Sequence, residues 1–189
     1  MNKIHLLAVS AVSACLMSTA ASAGVMVVGT SPARGCYENA RDEKGGAEAM
    51  RTCNEAFDSN MLSYYETVAT HVNRGIVRLF GNDVDGSIRD FDRAIALDPS
   101  EAEAYLNKGA AYLKQGRNAE ARTLFNIALE QKTNRPELAY FGRAIANEVT
   151  GDVRGAYSDY QRALSAAPNW EEPARELTRF QVRKAGGSL

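Results

Sequence analysis

A period of about 34 residues runs through the C-terminal two thirds of the chain and limits its fold more than any other feature. Gly75, Phe91 and Ala94 recur 34 residues later as Gly109, Phe125 and Ala128, and 35 residues after those as Ala144, Tyr160 and Ala163. The stretches 88–95 and 157–164 also share one alternation of large, charged and small side chains. One period accommodates two helices and a turn. A single helix pair leaves an apolar face uncovered, so successive pairs must stack and share a continuous core.

Within the first period Val68, Val72, Ile76 and Leu79 keep a helical spacing, and Ile88, Phe91, Ala94 and Ile95 resume it after a break at Gly81-Asn82-Asp83. Gly81, Gly116 and Gly151 stop the first helices, and Asp83, Asn118 and Asp152 stand where the second helices want a side-chain acceptor. Ser100 with Glu103, and Asn169 with Glu172, read as capping boxes for the helices that follow. Small residues at Gly75, Gly109 and Ala144 and at Ala94, Ala128 and Ala163 let paired helices approach closely, while Phe91, Phe125 and Tyr160 fill the space between units. Asp90, Asp92 and Arg93 read as a solvated helix face.

Through Tyr105, Gly109, Tyr112, Ala121, Phe125 and Ala128, with Asp98-Pro99 and Pro168 closing the outer units, the sequence resembles the tetratricopeptide-repeat (TPR) family. The resemblance covers three units, 68–101, 102–136 and 137–170. It departs at Ser87, at Thr133 in place of the closing proline, and by one residue inserted near Pro136. It implies an all-α fold, a right-handed α-solenoid of antiparallel helix hairpins. Upstream, residues 24–67 read as a linker and a degenerate leading hairpin, with a first helix at 36–40 and a second around Ala49, Cys53, Ala56 and Phe57. In that register Cys36 and Cys53 fall at one level on facing helices, within the short reach of a disulfide. Downstream, residues 171–184 read as a capping helix with Pro173 in its first turn and Leu177 and Phe180 on one side, and residues 185–189 as a disordered tail.

The first residues differ in kind. After Lys3 no charged side chain occurs until Arg34, and 6–23 is apolar with small residues ending in Ala21-Ser22-Ala23. This fits a signal peptide over 1–23 of bacterial style, cut before Gly24, and hence a periplasmic or secreted protein. Two alternatives stay open: an uncleaved membrane anchor, or a membrane-anchored lipoprotein cut at Val12-Ser13-Ala14-Cys15. The chain would meet a membrane only if the segment is uncleaved or Cys15 is lipidated. Cleavage leaves Cys36 and Cys53 as the remaining pair, bonded in an oxidising compartment or two buried thiols in a reducing one. The net charge of -1 gives no reason to expect nucleic acid.

The resemblance further implies that the first helix of each unit lines a concave groove that holds a protein or peptide partner. On this register the groove consists of Val72, Asn73 and Ile76, then Leu106, Asn107 and Ala110, then Phe141, Gly142 and Ile145. Asn73 and Asn107 are equivalent, and in some relatives such asparagines form a ladder whose amides, both donor and acceptor, grip an extended backbone. The third rung here is Gly142. The lysine and asparagine clamp with which other relatives hold a C-terminal carboxylate is not carried over, because Val72 and Ile76 occupy matching positions. The leading segment, the cap or a second copy could instead cover the groove. No catalytic set, phosphate loop, metal site or cofactor is expected: His71 has no partner at ligand spacing. The expected function is a non-catalytic interaction module or scaffold of the bacterial periplasm or envelope; the alternative is a self-associating assembly protein.

Overall fold

Interruptions of the apolar spacing become turns. The computed structural model describes residues 4–8, 24–27, 29 and 31–184. After a strand β1 (Ile4–Ala8) come α1 (Ala33–Arg41) and α2 (Ala47–Asp58), then α3 (Tyr64–Phe80), α4 (Val84–Leu97), α5 (Ala102–Lys114) and α6 (Asn118–Glu130). The chain continues through α7 (Pro136–Val149), α8 (Val153–Ala166), a short α9 (Glu171–Leu177) and a strand β2 (Phe180–Lys184). Helices α1 and α2, α3 and α4, α5 and α6, and α7 and α8 pair as hairpins; α4 packs on α5 and α6 on α7. The first helices α1, α3, α5 and α7 adjoin one another in that order. The body is therefore an all-α solenoid of helical hairpins. Strands β1 and β2 pair antiparallel, Ile4 opposite Lys184 and Ala8 opposite Phe180. Cys15 and the triplet Ala21-Ser22-Ala23 lie outside the described residues, as does the tail 185–189.

The small residues of the repeat are where rings insert. A Cβ on Gly75 would stand 2.4 Å from the ring of Phe91, and one on Gly109 2.8 Å from that of Phe125. A Cβ on Gly142 would come within 2.3 Å of the same Phe125 ring. Phe125 is thus clasped between α5 and α7, and Gly142 is required for packing rather than missing from a ladder. Ala94, Ala128, Ala144 and Ala163 are fully buried beside Phe91, Phe125 and Tyr160.

Two of the three expected second-helix caps form: Asp83 accepts from Gly86 N and Asp152 from Gly155 N, each at 2.9 Å. Asn118 instead donates to Gly116 O from inside α6. Gly116 and Gly151 take positive φ after their helices, whereas at Gly81 the following Asn82 does so. Neither expected capping box between units forms. The cap of α5 is Glu101, whose carboxylate accepts from Glu103 N; that of α9 is Trp170, with no side-chain bond. Glu103 is diverted to the α6–α7 loop, where it accepts from Thr133 Oγ1 at 3.1 Å and Asn134 N at 2.8 Å. The Thr133 that replaces a closing proline is therefore a tie between units.

Asp90 does not face solvent. It is buried and takes hydrogen bonds from Arg74 Nη2 and Arg78 Nη1, each at 2.8 Å, with His71 Nδ1 at 3.2 Å. Asp159 repeats the arrangement with a bidentate Arg143 at 2.7 Å for both contacts. The arginines extend the parallel, Arg74 to Asn54 and Arg143 to Asn126.

At the ends, Cys36 of α1 and Cys53 of α2 are joined, with an S–S distance of 2.06 Å and Cα atoms 4.5 Å apart. The segment after Trp170 is helical only through Leu177, shorter than expected. Leu177 and Phe180 both reach the core of the last unit. Phe180 does so only by leaving the helix, its ring centroid then 5.6 Å from Tyr157 and 5.9 Å from Tyr160. Trp170 lies against Phe141 at 4.7 Å.

Candidate functional site

Helix α3 carries Val72, Asn73 and Ile76 on one face, and all three are fully buried. Their cover is the chain itself. Val25 and Val27 belong to the same apolar cluster as Val72 and Ile76, and the stretch 24–27 has no helical or sheet structure. Asn73 Nδ2 donates to Val25 O and Asn73 Oδ1 accepts from Val25 N, both at 2.9 Å. One side-chain amide therefore satisfies both backbone groups of one residue. Tyr65 Oη donates to the next carbonyl, Met26 O, at 3.2 Å. Residues two apart in an extended chain share a side: Val25 and Val27 are turned inward, and Met26 between them is 60% exposed.

On α5, Leu106 and Asn107 are buried and Ala110 is half-buried. Asn107 Nδ2 donates to Glu103 O of its own helix at 2.8 Å. On α7, Phe141 and Ile145 are half-buried and join the cluster of Ala144 and Tyr160, with Phe141 5.6 Å from Tyr160. The expected groove is thus two regions. Val72, Asn73 and Ile76 lie under residues 24–27, while Ala110, Phe141 and Ile145 remain partly open.

The open end of α3 is acidic. Burial, then the hydrogen bond and charge of Glu103, push the Glu101 carboxyl up to about 7. Burial and the charges of Glu101 and Glu103 raise the Tyr65 phenol. His71 packs on Phe57 at 4.6 Å and serves the Asp90 network. No group of three or more His, Cys, Asp or Glu among the described residues could hold a metal. A polar cleft between α6, α7 and α8 exposes Arg122, but its Arg143 and Arg162 are both committed to Asp159. No described helix is long and apolar enough to cross a membrane.

The seated segment was hidden in the sequence because 24–27 falls in the stretch read as a linker, and Val25, Met26 and Val27 are all apolar, so no apolar–polar alternation marks an inward side.

The family model described as tetratricopeptide repeat matches residues 72–136. Serine/threonine-protein phosphatase 5 of Rattus norvegicus is 31% identical over 93 residues, covering 46% of this chain and 17% of that protein. Across the curated relatives matched, the chain spans between 11% and 24% of their length. The solved structure titled as the first TPR of Spaghetti (RPAP3) bound to HSP90 peptide SRMEEVD superposes with a TM-score of 0.57 at 23% identity, over 60% of this chain and 90% of that one. MamA 41-end from Desulfovibrio magneticus RS-1 gives a TM-score of 0.60 at 19% identity, over 75% of each chain. At these identities the structural likeness shows the fold alone.

Proposed function

We propose that this tetratricopeptide-repeat chain, a solenoid of helical hairpins, is a non-catalytic interaction module that holds an extended protein segment on the face formed by α3, α5 and α7. The repeat fold supports protein binding in general, and the structural neighbour from Spaghetti carries a bound peptide. The observation that carries the specific reading is the pairing of the Asn73 amide with both backbone groups of Val25. Such a grip ignores side chains, so it suits any extended backbone laid along α3. The open apolar positions Ala110, Phe141 and Ile145 extend the surface beyond that grip.

The setting is part of the proposal: a bacterial periplasm or envelope. The apolar leader ending in Ala21-Ser22-Ala23 and the paired Cys36 and Cys53 support it. If the leader is cut before Gly24, β2 loses its partner β1 and the new terminus begins at the residue before the Asn73 grip.

The test is capture of partners from a periplasmic extract by the protein and by its Asn73→Ala/Asn107→Ala form. We expect the double variant, folded by circular dichroism, to lose its specific partners. An unchanged set of partners would overturn the groove as the binding surface.

A further inference from the structure

We propose that residues 24–27 are a tethered occupant of the α3 groove, and that the groove's partner is an extended, uncharged protein segment with apolar side chains two residues apart, which binds by displacing them. This rests on the groove reading above and names both the chemistry of the ligand and what regulates its access.

The seated segment shows what the site selects. Asn73 and Tyr65 address only backbone groups, at Val25 and Met26, so they set an extended conformation and no side-chain identity. Selection comes from the inward positions, where Val25 and Val27 are 7% and 5% exposed within the apolar cluster that also holds Val72 and Ile76. The residue between them faces outward and is free to vary. The seated stretch and the residues just after it, 24–30, carry no charged side chain, which is why the partner is expected to be uncharged.

The occupant is also built to leave. It belongs to no helix or sheet, and among the described residues its polar anchors are the Asn73 and Tyr65 side chains, with Val25 and Val27 joining the apolar cluster of Val72 and Ile76. Its tether to α1 is short, since Val27 is followed by Ala33 after five residues. A tether of this length keeps the segment at an effective concentration on the order of millimolar. A free segment of roughly 100 μM intrinsic affinity would then bind the closed groove about tenfold more weakly than an open one.

The test uses protein purified after expression of the full 189-residue sequence. The probe is a fluorescein-labelled peptide with the sequence of residues 24–30, followed by anisotropy. Val25→Asp/Val27→Asp should expel the tethered segment and bind the peptide at least about tenfold tighter than the unaltered chain. Adding Asn73→Ala should abolish that gain. Equal affinity of the two forms, or no binding by a folded expelled variant, would overturn the proposal. A dimer in light scattering that disappears in the expelled variant would also overturn it, since the occupant would then be a second copy.

Should the expelled variant not fold, hydrogen exchange on the unaltered chain decides. Saturating unlabelled peptide should accelerate exchange of the Val25 amide, and unchanged protection would sink the proposal. Partner capture that still depends on Asn73 and Asn107 would leave the binding reading standing even so.

Discussion

Asp90 and Asp159 perform the same task in the first and third regular units, each holding an arginine from the preceding helix out of water. Asp90 has side-chain exposure of 4% and faces Arg74, Arg78 and His71. Asp90→Ala would strand two guanidinium groups in a largely dry site and should cost about 3 kcal/mol in urea unfolding. Burial works against ionising Asp90, but hydrogen bonds from His71 and Arg74 and the charges of Arg74 and Arg78 prevail, so its carboxyl lies below the ordinary value of 3.8. The stability it contributes is present above that value and is lost as pH falls through the lower folded one. Unfolding free energy should therefore drop below about pH 4, and the drop should be smaller in the Ala variant.

Glu101 has the opposite sign. Raised from 4.5 to about 7, it holds its proton more tightly folded than unfolded, and this advantage fades as pH rises through that interval. Glu101→Gln keeps an acceptor for Glu103 N and removes the penalty. It should be more stable than the parent at pH 8 by on the order of 1 kcal/mol, with the difference gone near pH 4, as thermal melts would show. Neither role was legible in the sequence. Asp90 sits one residue from Phe91, at a helix position that periodicity alone places near the boundary of the solvated face. It is the arginine of the neighbouring helix that draws it inward.

At the scale of elements, hairpin spacing was legible because three separate signals coincide: the apolar period, the Gly breaks and the Asp caps. Ring insertion makes the close approaches specific. Gly75→Ala should destabilise by roughly 1–2 kcal/mol despite the better helix propensity of alanine, because the methyl has no room beside Phe91. The failed capping boxes show where local rules lose to tertiary ones. Glu103 is worth more tying Thr133 and Asn134 across the unit boundary than capping its own helix. The leading hairpin is short and depends on its staple, which links residues 17 apart in sequence with both sulfurs buried. Cys36→Ala/Cys53→Ala should lower stability by about 3 kcal/mol, with the greatest loss of amide protection in α1 and α2.

At the scale of the whole molecule, stacking α1, α3, α5 and α7 side by side creates one face, and the chain's own residues 24–27 already use part of it. The sequence marked this face through Asn73, Asn107 and their apolar neighbours. It could not reveal that Asn73 grips Val25, because that contact spans 48 residues and joins a leader-like stretch to a repeat. Long-range backbone capture leaves no periodic trace in either partner segment. The division of the face into a covered part at α3 and an open part at Ala110, Phe141 and Ile145 is likewise a property of the assembled chain.

Binding of partners on this proposed face, and not on the outer one, is open to direct measurement. A photo-crosslinking amino acid placed at Ala110 or Ile145, and for comparison at the exposed Arg122 on α6, measures this directly in cells. Discrete protein adducts are expected from Ala110 and Ile145, lost on adding Asn73→Ala/Asn107→Ala, and none from Arg122. Adducts from Arg122 alone, or inner-face adducts that are indifferent to the asparagines, would contradict it.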